Sequence, residues 1–352
     1  MKYLSICSGI ESVGVAWHPL GFECLGLSEI DPFRSAVLQY HYPEVKNYGD
    51  FTKIERSDLS STPDILVGGT PCATFSIAGL RKGMGEDRGN LALEFILLAK
   101  RLNPKWVLWE NVPGILSSNE GKDLGTFLGA LAECGYGFAY RVLDTQYIRT
   151  QRFPRAIPQR RRRVFVIGCL GDWKNPAKVL FDQETMSGNP KPSREKTSGH
   201  SEDFKGAHRE LYRRFDRLGS YTGSEDATGS MSAGGRFSPE ESSILCVESP
   251  IALQTSHTKS NGSGIKEDGA MFSLTANDRH SVLDQSLIRR LTVKECERLQ
   301  GFPDNYTQIP YMGKQKEDAP ISKRYEACGR AMSINVMEWL GQRIQMVHND
   351  EI

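Results

Sequence analysis

The sequence predicts an α/β protein: a parallel sheet wrapped by crossover helices, joined to a second, smaller, loop-rich domain. Three observations predict it. Short β-rich runs alternate with amphipathic stretches through the first half of the chain. After Trp173 the texture changes to segments rich in Gly, Ser, Pro and charge, such as SGNPKPSREKTSGHS and GSYTGSEDATGSMSAGGRFSPEESS. Regular patterning then returns near Ser286 and holds through the closing residues. A length of 352 residues exceeds one ordinary compact core, which fits a large domain with a smaller one attached.

Taken in order, the strand and helix runs are KYLSIC with ESVGVAWHPLG, ECLGLSEI with PFRSAVLQYHY, DILVGG with NLALEFILLAKRL, and KWVLWENV with KDLGTFLGALAECG. In each pair a short aliphatic run of buried-strand length precedes apolar residues at helical spacing. RVFVIG (163–168) reads as one more buried strand. LTVKECERLQGF reads as a helix that Gly301-Phe302-Pro303 stops, and MSINVMEWLGQRIQMV as a closing helix. No repeat of solenoid or propeller period is present.

Composition excludes several classes. With 39% hydrophobic and 25% charged residues the chain is neither disordered nor fibrous. No apolar run approaches the ~18 residues of a membrane-spanning helix, and MKYLSICSGIESV is no cleavable signal, so a cytoplasmic protein is expected. The eight cysteines are scattered without a C-x-x-C pair or a His cluster, which predicts reduced thiols and no metal. Net charge is only +1, yet between Tyr147 and Arg163 there are seven arginines (149, 152, 155, 160, 161, 162 and 163) and no acidic residue. A local stripe of this kind can hold phosphates, because screening confines each charge to about 10 Å.

Ligands of open α/β sheets bind at the carboxyl ends of the strands. Five groups stand there: Ser8-Gly9-Ile10; Glu29, Ile30 and Asp31; Asp50 with Phe51; Pro71-Cys72; and Glu110-Asn111-Val112. A glycine turn followed about 20 positions later by an acidic residue suits a ribose diol, which Gly9 and Glu29 satisfy. Helix capping is the ordinary alternative for Glu29 and Asp31, and a turn for Asp50. Cys72 sits in GGTPCATFS, where two glycines break the strand and proline stiffens the loop that presents the thiol. A thiol beside a carboxyl able to donate a proton, Glu110 of WENVP, suits attack on an electron-poor heterocycle.

In chain order SICSGIES, SEID, GDF, GGTPCATFS, ENVPG, QRRRR, RRLTVKECERLQGFPD and YEACGRAMSINVMEWLG resemble the motif set of the C5-cytosine-specific DNA methyltransferases, over residues 3 to about 170 and about 286 to 345. The C-S-G-I-E form is similar to solitary phage- and prophage-type members. The resemblance implies a Rossmann-type S-adenosylmethionine-dependent methyltransferase domain with a smaller target-recognition domain. The implied boundaries are 1–170 for catalysis and cofactor, 171–285 for recognition, and 286–352 for a hinge helix and a return to the first domain. It also implies that Cys72 attacks cytosine carbon 6, that Glu110 engages ring N3 and the exocyclic amine, and that Arg161 and Arg163 of the Q-x-R-x-R pattern hold the site and the cytosine carbonyl. Ser8, Gly9 and Ile10 would surround the methionine end of S-adenosylmethionine, Glu29 and Ile30 the ribose side, Asp50 and Phe51 the adenine, with Pro71 nearby. Arg290, Leu291, Thr292 and Glu295 would organise the recognition domain.

This sequence departs from the pattern at Cys7 and Glu11-Ser12 in the first motif, at Ala73, where glutamine commonly follows the nucleophile, and at Arg330, where Gly-Asn-Ala/Ser is usual. The implied partner is double-stranded DNA, bound by a monomer; nothing indicates a cognate restriction enzyme. A target carbon stacked in a duplex has to be flipped out, at a cost of a few kcal/mol that phosphate contacts offset. The arginine stripe and PKPSREK could supply them. Thr255, His257, Thr258, Thr275 and Arg279 are candidate base readers. Rival readings are a C5-cytosine methyltransferase acting on tRNA, a DNA-binding relative without catalysis and, most remote, a metabolic enzyme on a dinucleotide fold.

Overall fold

The computed structural model describes residues 1–71, 91–181, 251–254, 265–266, 271, 273–274, 280–284 and 287–352, of which most of the segments between 251 and 289 are described by backbone alone. The described residues fall into two compact units.

The first unit carries a six-stranded sheet of order β2-β1-β3-β4-β6-β5. Its strands are β1 (Lys2–Ile6), β2 (Glu23–Ser28), β3 (Ile65–Gly68), β4 (Trp106–Asn111), β5 (Tyr136–Asp144) and β6 (Arg162–Leu170). Helices α1 (Ser12–Trp17), α2 (Pro32–His41), α3 (Leu91–Leu102), α4 (Lys122–Glu133) and α5 (Lys174–Leu180) follow in the chain, and α6 (Val293–Gln300), α7 (Ile321–Arg330) and α8 (Ile334–His348) complete the unit from its far end. β1 pairs in parallel with β2 on one side and β3 on the other, and β3 in parallel with β4. The direction of winding therefore reverses at β1, which opens a crevice at the carboxyl ends of β1 and β3.

Side chains alternate between the two faces of the sheet. Tyr3, Trp106 and Leu108 pack with Trp17, Phe33, Ile334, Met337 and Leu340 on one face. Leu4, Val107 and Trp109 pack with Phe95 and Phe127 on the other. The closing helix α8 is thus as much core as the first strand, each of its buried aliphatic side chains contributing about 1.5–3 kcal/mol of transfer free energy.

Three features differ from the sequence reading. The sheet is mixed, because β6 runs antiparallel to β4 and to β5. The connection between β5 and β6, residues 145–161, has no helix beyond the single 3₁₀ turn Thr145–Tyr147, whereas parallel neighbours are usually joined by a crossover helix. β5 itself and α7 had no clear sequence signature. The α6 stop is as read: Gly301, with φ +89°, donates to the Arg298 carbonyl while Phe302 donates to that of Glu297, the paired bonds of a Schellman cap.

The second unit holds a four-stranded antiparallel sheet of order β10-β9-β7-β8, from β7 (Ile251–Gln254), β8 (Ile265–Lys266), β9 (His280–Asp284) and β10 (Leu287–Arg290). Strands this short show no periodicity, so the sequence reading took the stretch as loop.

Candidate active site

The loop after β1 is braced to the end of β2. Ser8 N–H donates to the Ser28 carbonyl at 3.0 Å, Ser28 N–H donates to Ser8 Oγ at 3.0 Å, and Gly9 N–H donates to Glu29 Oε2 at 2.9 Å. Glu29 is buried; its Oε1 accepts from Asp31 N–H at 2.8 Å and lies 3.4 Å from Arg34 Nη2. Oε2, which accepts from Gly9 N–H, keeps a second lone pair for a ligand hydroxyl. Ile30 beside it is 75% exposed, an apolar side chain held out at the crevice edge. Asp31 caps α2 through Arg34 N–H. Asp50 caps the 3₁₀ turn Phe51–Lys53, accepting from Thr52 N–H and Oγ. Partial burial pushes the Asp50 carboxyl up, but those bonds and Lys53 more than offset it and leave it below its usual range.

Two non-glycine residues in this loop adopt the left-handed conformation, Cys7 at φ 49° and Glu11 at φ 63°. At Glu11 the side chain compensates for the strain: its Oε1 accepts from Gly14 N–H at 2.8 Å and caps α1, and its Oε2 accepts from Ser5 Oγ at 2.9 Å. A departure from the family's glycines is thus accommodated by capping. Burial outweighs these bonds and pushes the Glu11 carboxyl up to about 7. Burial, with the Glu29 charge, pushes the Cys7 thiol up to about 12, which makes it inert.

At the other edge of the crevice Glu110, near the end of β4, meets Arg163 at the start of β6, with Oε1 3.0 Å from Nε and both side chains largely buried. The backbone of Gly69 approaches closely enough that a Cβ there would stand 2.7 Å from Glu110 Oε2, so a side chain at this position would displace the Glu110 carboxylate. The neighbours of Glu110 hold the same loop: Trp109 Nε1 donates to Thr70 Oγ at 2.9 Å and Asn111 Nδ2 to the Thr70 carbonyl at 3.3 Å. Thr70 is buried and Pro71 exposed, which carries the chain outward immediately before Cys72.

The arginine stripe divides by role. Arg163 enters the site, while Arg161 is buried beneath it and donates to the carbonyls of Leu274 at 2.9 Å, Gly329 at 3.4 Å and Ala331 at 2.8 Å. Burial and the Arg163 charge lower its pKa to about 9, so it remains a cation at neutral pH. Arg152 pairs with the buried Glu338 of α8 at 3.0 Å. Arg149, Arg155, Arg160 and Arg162 are exposed.

Ser8, Gly9, Gly69 and Glu110 line one pocket together with Arg330 to Met332, so both chain ends contribute to it. Ile10 and Phe51, expected at the cofactor, are buried in the core. Cys72, Ala73, PKPSREK, Thr255, His257, Thr258, Thr275 and Arg279 lie outside the described residues. Arg34 was missed, having no signal beyond its place in a helix. So was the network in which buried Glu297 accepts from Thr307 N–H and pairs with Arg324, since neither charge breaks a helical pattern. Among the described residues no group of three metal-ligating side chains occurs, and no helix is long and apolar enough to cross a membrane.

Solved structures that share this fold include methyltransferases. A protein described as a DNA modification methyltransferase of an Escherichia coli prophage superposes over 99% of each chain with a TM-score of 0.58 at 16% identity. The Schizosaccharomyces pombe Dnmt2 methyltransferase does so over 98% of each chain with a TM-score of 0.56 at 15% identity. The architecture is therefore the Rossmann-like one of S-adenosylmethionine-dependent methyltransferases. Within that class the chain belongs to the C-5 cytosine-specific DNA methylase family, whose model matches residues 1–346. Curated relatives include the Bacillus subtilis type II methyltransferase M2.BsuMI, 28% identical over 98% of this chain and 75% of that protein. An Escherichia phage P1 protein named DNA N-6-adenine-methyltransferase is 32% identical over 97% of this chain, which spans 61% of that protein's length.

Proposed function

We propose that this protein transfers a methyl group from S-adenosylmethionine to carbon 5 of a cytosine flipped out of a specific duplex DNA sequence, through a transient bond from Cys72. The observation that carries the reading is the end of β4, where Glu110 is held by Arg163 while its neighbours Trp109 and Asn111 fix Thr70, two residues before Cys72. One strand end thus holds a carboxyl group and anchors Thr70, two residues before Cys72 in the sequence. Cys72 Sγ would add to carbon 6, Glu110 would hydrogen-bond ring N3 and the exocyclic amine, and electron density would pass to carbon 5. After methylation carbon 5 loses its proton and the carbon–sulfur bond breaks to restore the thiolate. The six described cysteines all have thiols pushed up by burial, so none of them competes as a nucleophile.

The crevice fits S-adenosylmethionine. Glu29 offers a lone pair to the ribose, exposed Ile30 an apolar surface, and Gly9 an open approach, with nothing within 4 Å of where a Cβ would stand. When bound there, the cofactor supplies an electrophilic methyl group. We assign target recognition to the part of residues 171–285 that follows α5, and phosphate contacts to the exposed arginines.

The name of the phage P1 relative favours a second reading, transfer to the N6 amine of adenine. An amine nitrogen attacks through its own lone pair and needs no thiol, and the name describes a protein well over a third of which lies outside the match. Labelled methyl transfer to duplex DNA, with bulk tRNA in parallel and Cys72→Ala as control, decides the matter when the product nucleosides are analysed. Cys72-dependent 5-methylcytosine in DNA is expected. N6-methyladenine formed equally by Cys72→Ala would replace this reading with the second, and label only on tRNA would replace the substrate.

A further inference from the structure

We infer that Arg152 and Glu338 form a pin that holds three other arginines, Arg149, Arg155 and Arg160, in place as a grip for the DNA backbone; the inference rests on the duplex DNA reading above. All three belong to the connection 145–161, which leaves β5 and returns in β6 and carries no acidic residue. Asp144 pairs with Arg162 and Asn111 with Val164, so the connection starts and ends beside the end of β4 that holds Glu110. Arg149, Arg155 and Arg160 are exposed and, among the described residues, form no ion pair. A phosphate that reaches them displaces no carboxylate.

Arg152, three residues from Arg149 and from Arg155, is turned to another use. Its Nη1 stands 3.0 Å from Oε2 of Glu338 on α8 and donates to the Val15 carbonyl of α1 at 3.0 Å. Glu338 is 1% exposed, and a buried carboxylate is costly to leave unpaired, which keeps Arg152 where it is. The two ends of the connection are fixed separately: Asn335 Nδ2 donates to the carbonyls of Thr145 and Ile148, while Ile157 and Arg161 are buried. Between those ends, Arg152 and the partly buried Phe153 beside it tie the backbone to the core. A duplex therefore meets cations already in position and is spared the cost of ordering a free loop. The pin cancels its own charge and adds no phosphate contact of its own.

Fluorescence anisotropy of a labelled mixed-sequence duplex, titrated with the full chain over a series of salt concentrations, tests both halves. Arg149→Ala, Arg155→Ala and Arg160→Ala should each lower the slope of log affinity against log salt by about 0.9, one phosphate contact apiece. Arg152→Met and Glu338→Gln should instead weaken binding by about three- to tenfold at every salt concentration with the slope unchanged, and Arg152→Lys should restore most of the loss. Glu338→Gln decides most sharply, because removing a negative charge beside a cationic surface would, on charge alone, tighten the duplex. Tighter binding in that variant would overturn the pin, as would a slope lowered by Arg152→Met, or unchanged affinity with only a lower unfolding temperature. Unchanged slopes in all three alanine variants would overturn the grip. Failure of the unaltered protein to bind the duplex at low salt would instead remove the DNA reading, and this inference with it.

Discussion

Two carboxylates stand at the ends of strands of the same sheet, with β1 and β3 between them, and are held in opposite ways. Glu29, after β2, is fastened by two backbone N–H groups from separate loops and by Arg34. Glu110, in β4, has one guanidinium beside it and a glycine backbone against its other oxygen. The first arrangement resists movement and suits a group that must present a fixed shape to a ligand. The second leaves room for hydrogen bonds to change during a reaction. Under the proposed function, rigidity falls where binding is needed and freedom where chemistry is.

The sharpest way to break this contrast is Glu110→Gln. Turnover should fall by about 10²–10³-fold while S-adenosylhomocysteine affinity stays within about twofold, measured by methyl transfer and calorimetry on one preparation. A large loss of affinity instead would put Glu110 in the binding half. Next in size, Arg161→Met strands three buried carbonyls and should cost about 2–4 kcal/mol in urea unfolding, because the Arg161 bonds underpin the catalytic edge. Stability within experimental error of the original would show those contacts to be dispensable. Glu29→Gln should weaken cofactor about tenfold with turnover at saturation nearly intact, and the reverse pattern in kcat and KM would dissolve the contrast.

A comparably small effect belongs to Glu11, beneath the loop after β1. Its carboxyl sits at about 7 in the folded protein against an ordinary 4.5, so the fold favours the protonated form. The stability it contributes is complete below pH 4.5 and is lost as pH rises through 7. Glu11→Gln should flatten that slope and raise stability at pH 8 by roughly 1–3 kcal/mol, read as the difference between unfolding curves at pH 5 and pH 8. An unchanged slope would place the titration elsewhere.

Much of this was legible in the sequence, and the reasons are local. β1 to β4 are short apolar runs with polar residues at or just beyond their ends, so both the strands and the crevice follow from them. β5 escaped because YGFAYRVLD is an edge strand with few fully buried positions and no clean alternation. α7 escaped because its buried face includes Arg324, a charge made tolerable only by Glu297 and Thr307 from distant turns. Arg161 and Arg163 stand two apart in one motif, and nothing in it says that one clamps carbonyls while the other meets Glu110. That division depends on which way β6 enters the sheet.

One hydrogen bond sets a timetable for the whole molecule. Trp17 Nε1 donates to the Met337 carbonyl at 2.7 Å, across 320 positions of chain. At a synthesis rate of about 5–20 residues per second, roughly 15–60 s pass between the emergence of those two residues from a ribosome. For that interval the indole and its apolar neighbours have no helix to cover them. The segment that finally does so also carries Arg330 to Met332 into place, so the pocket those residues line is complete only once the exposed core has its cover.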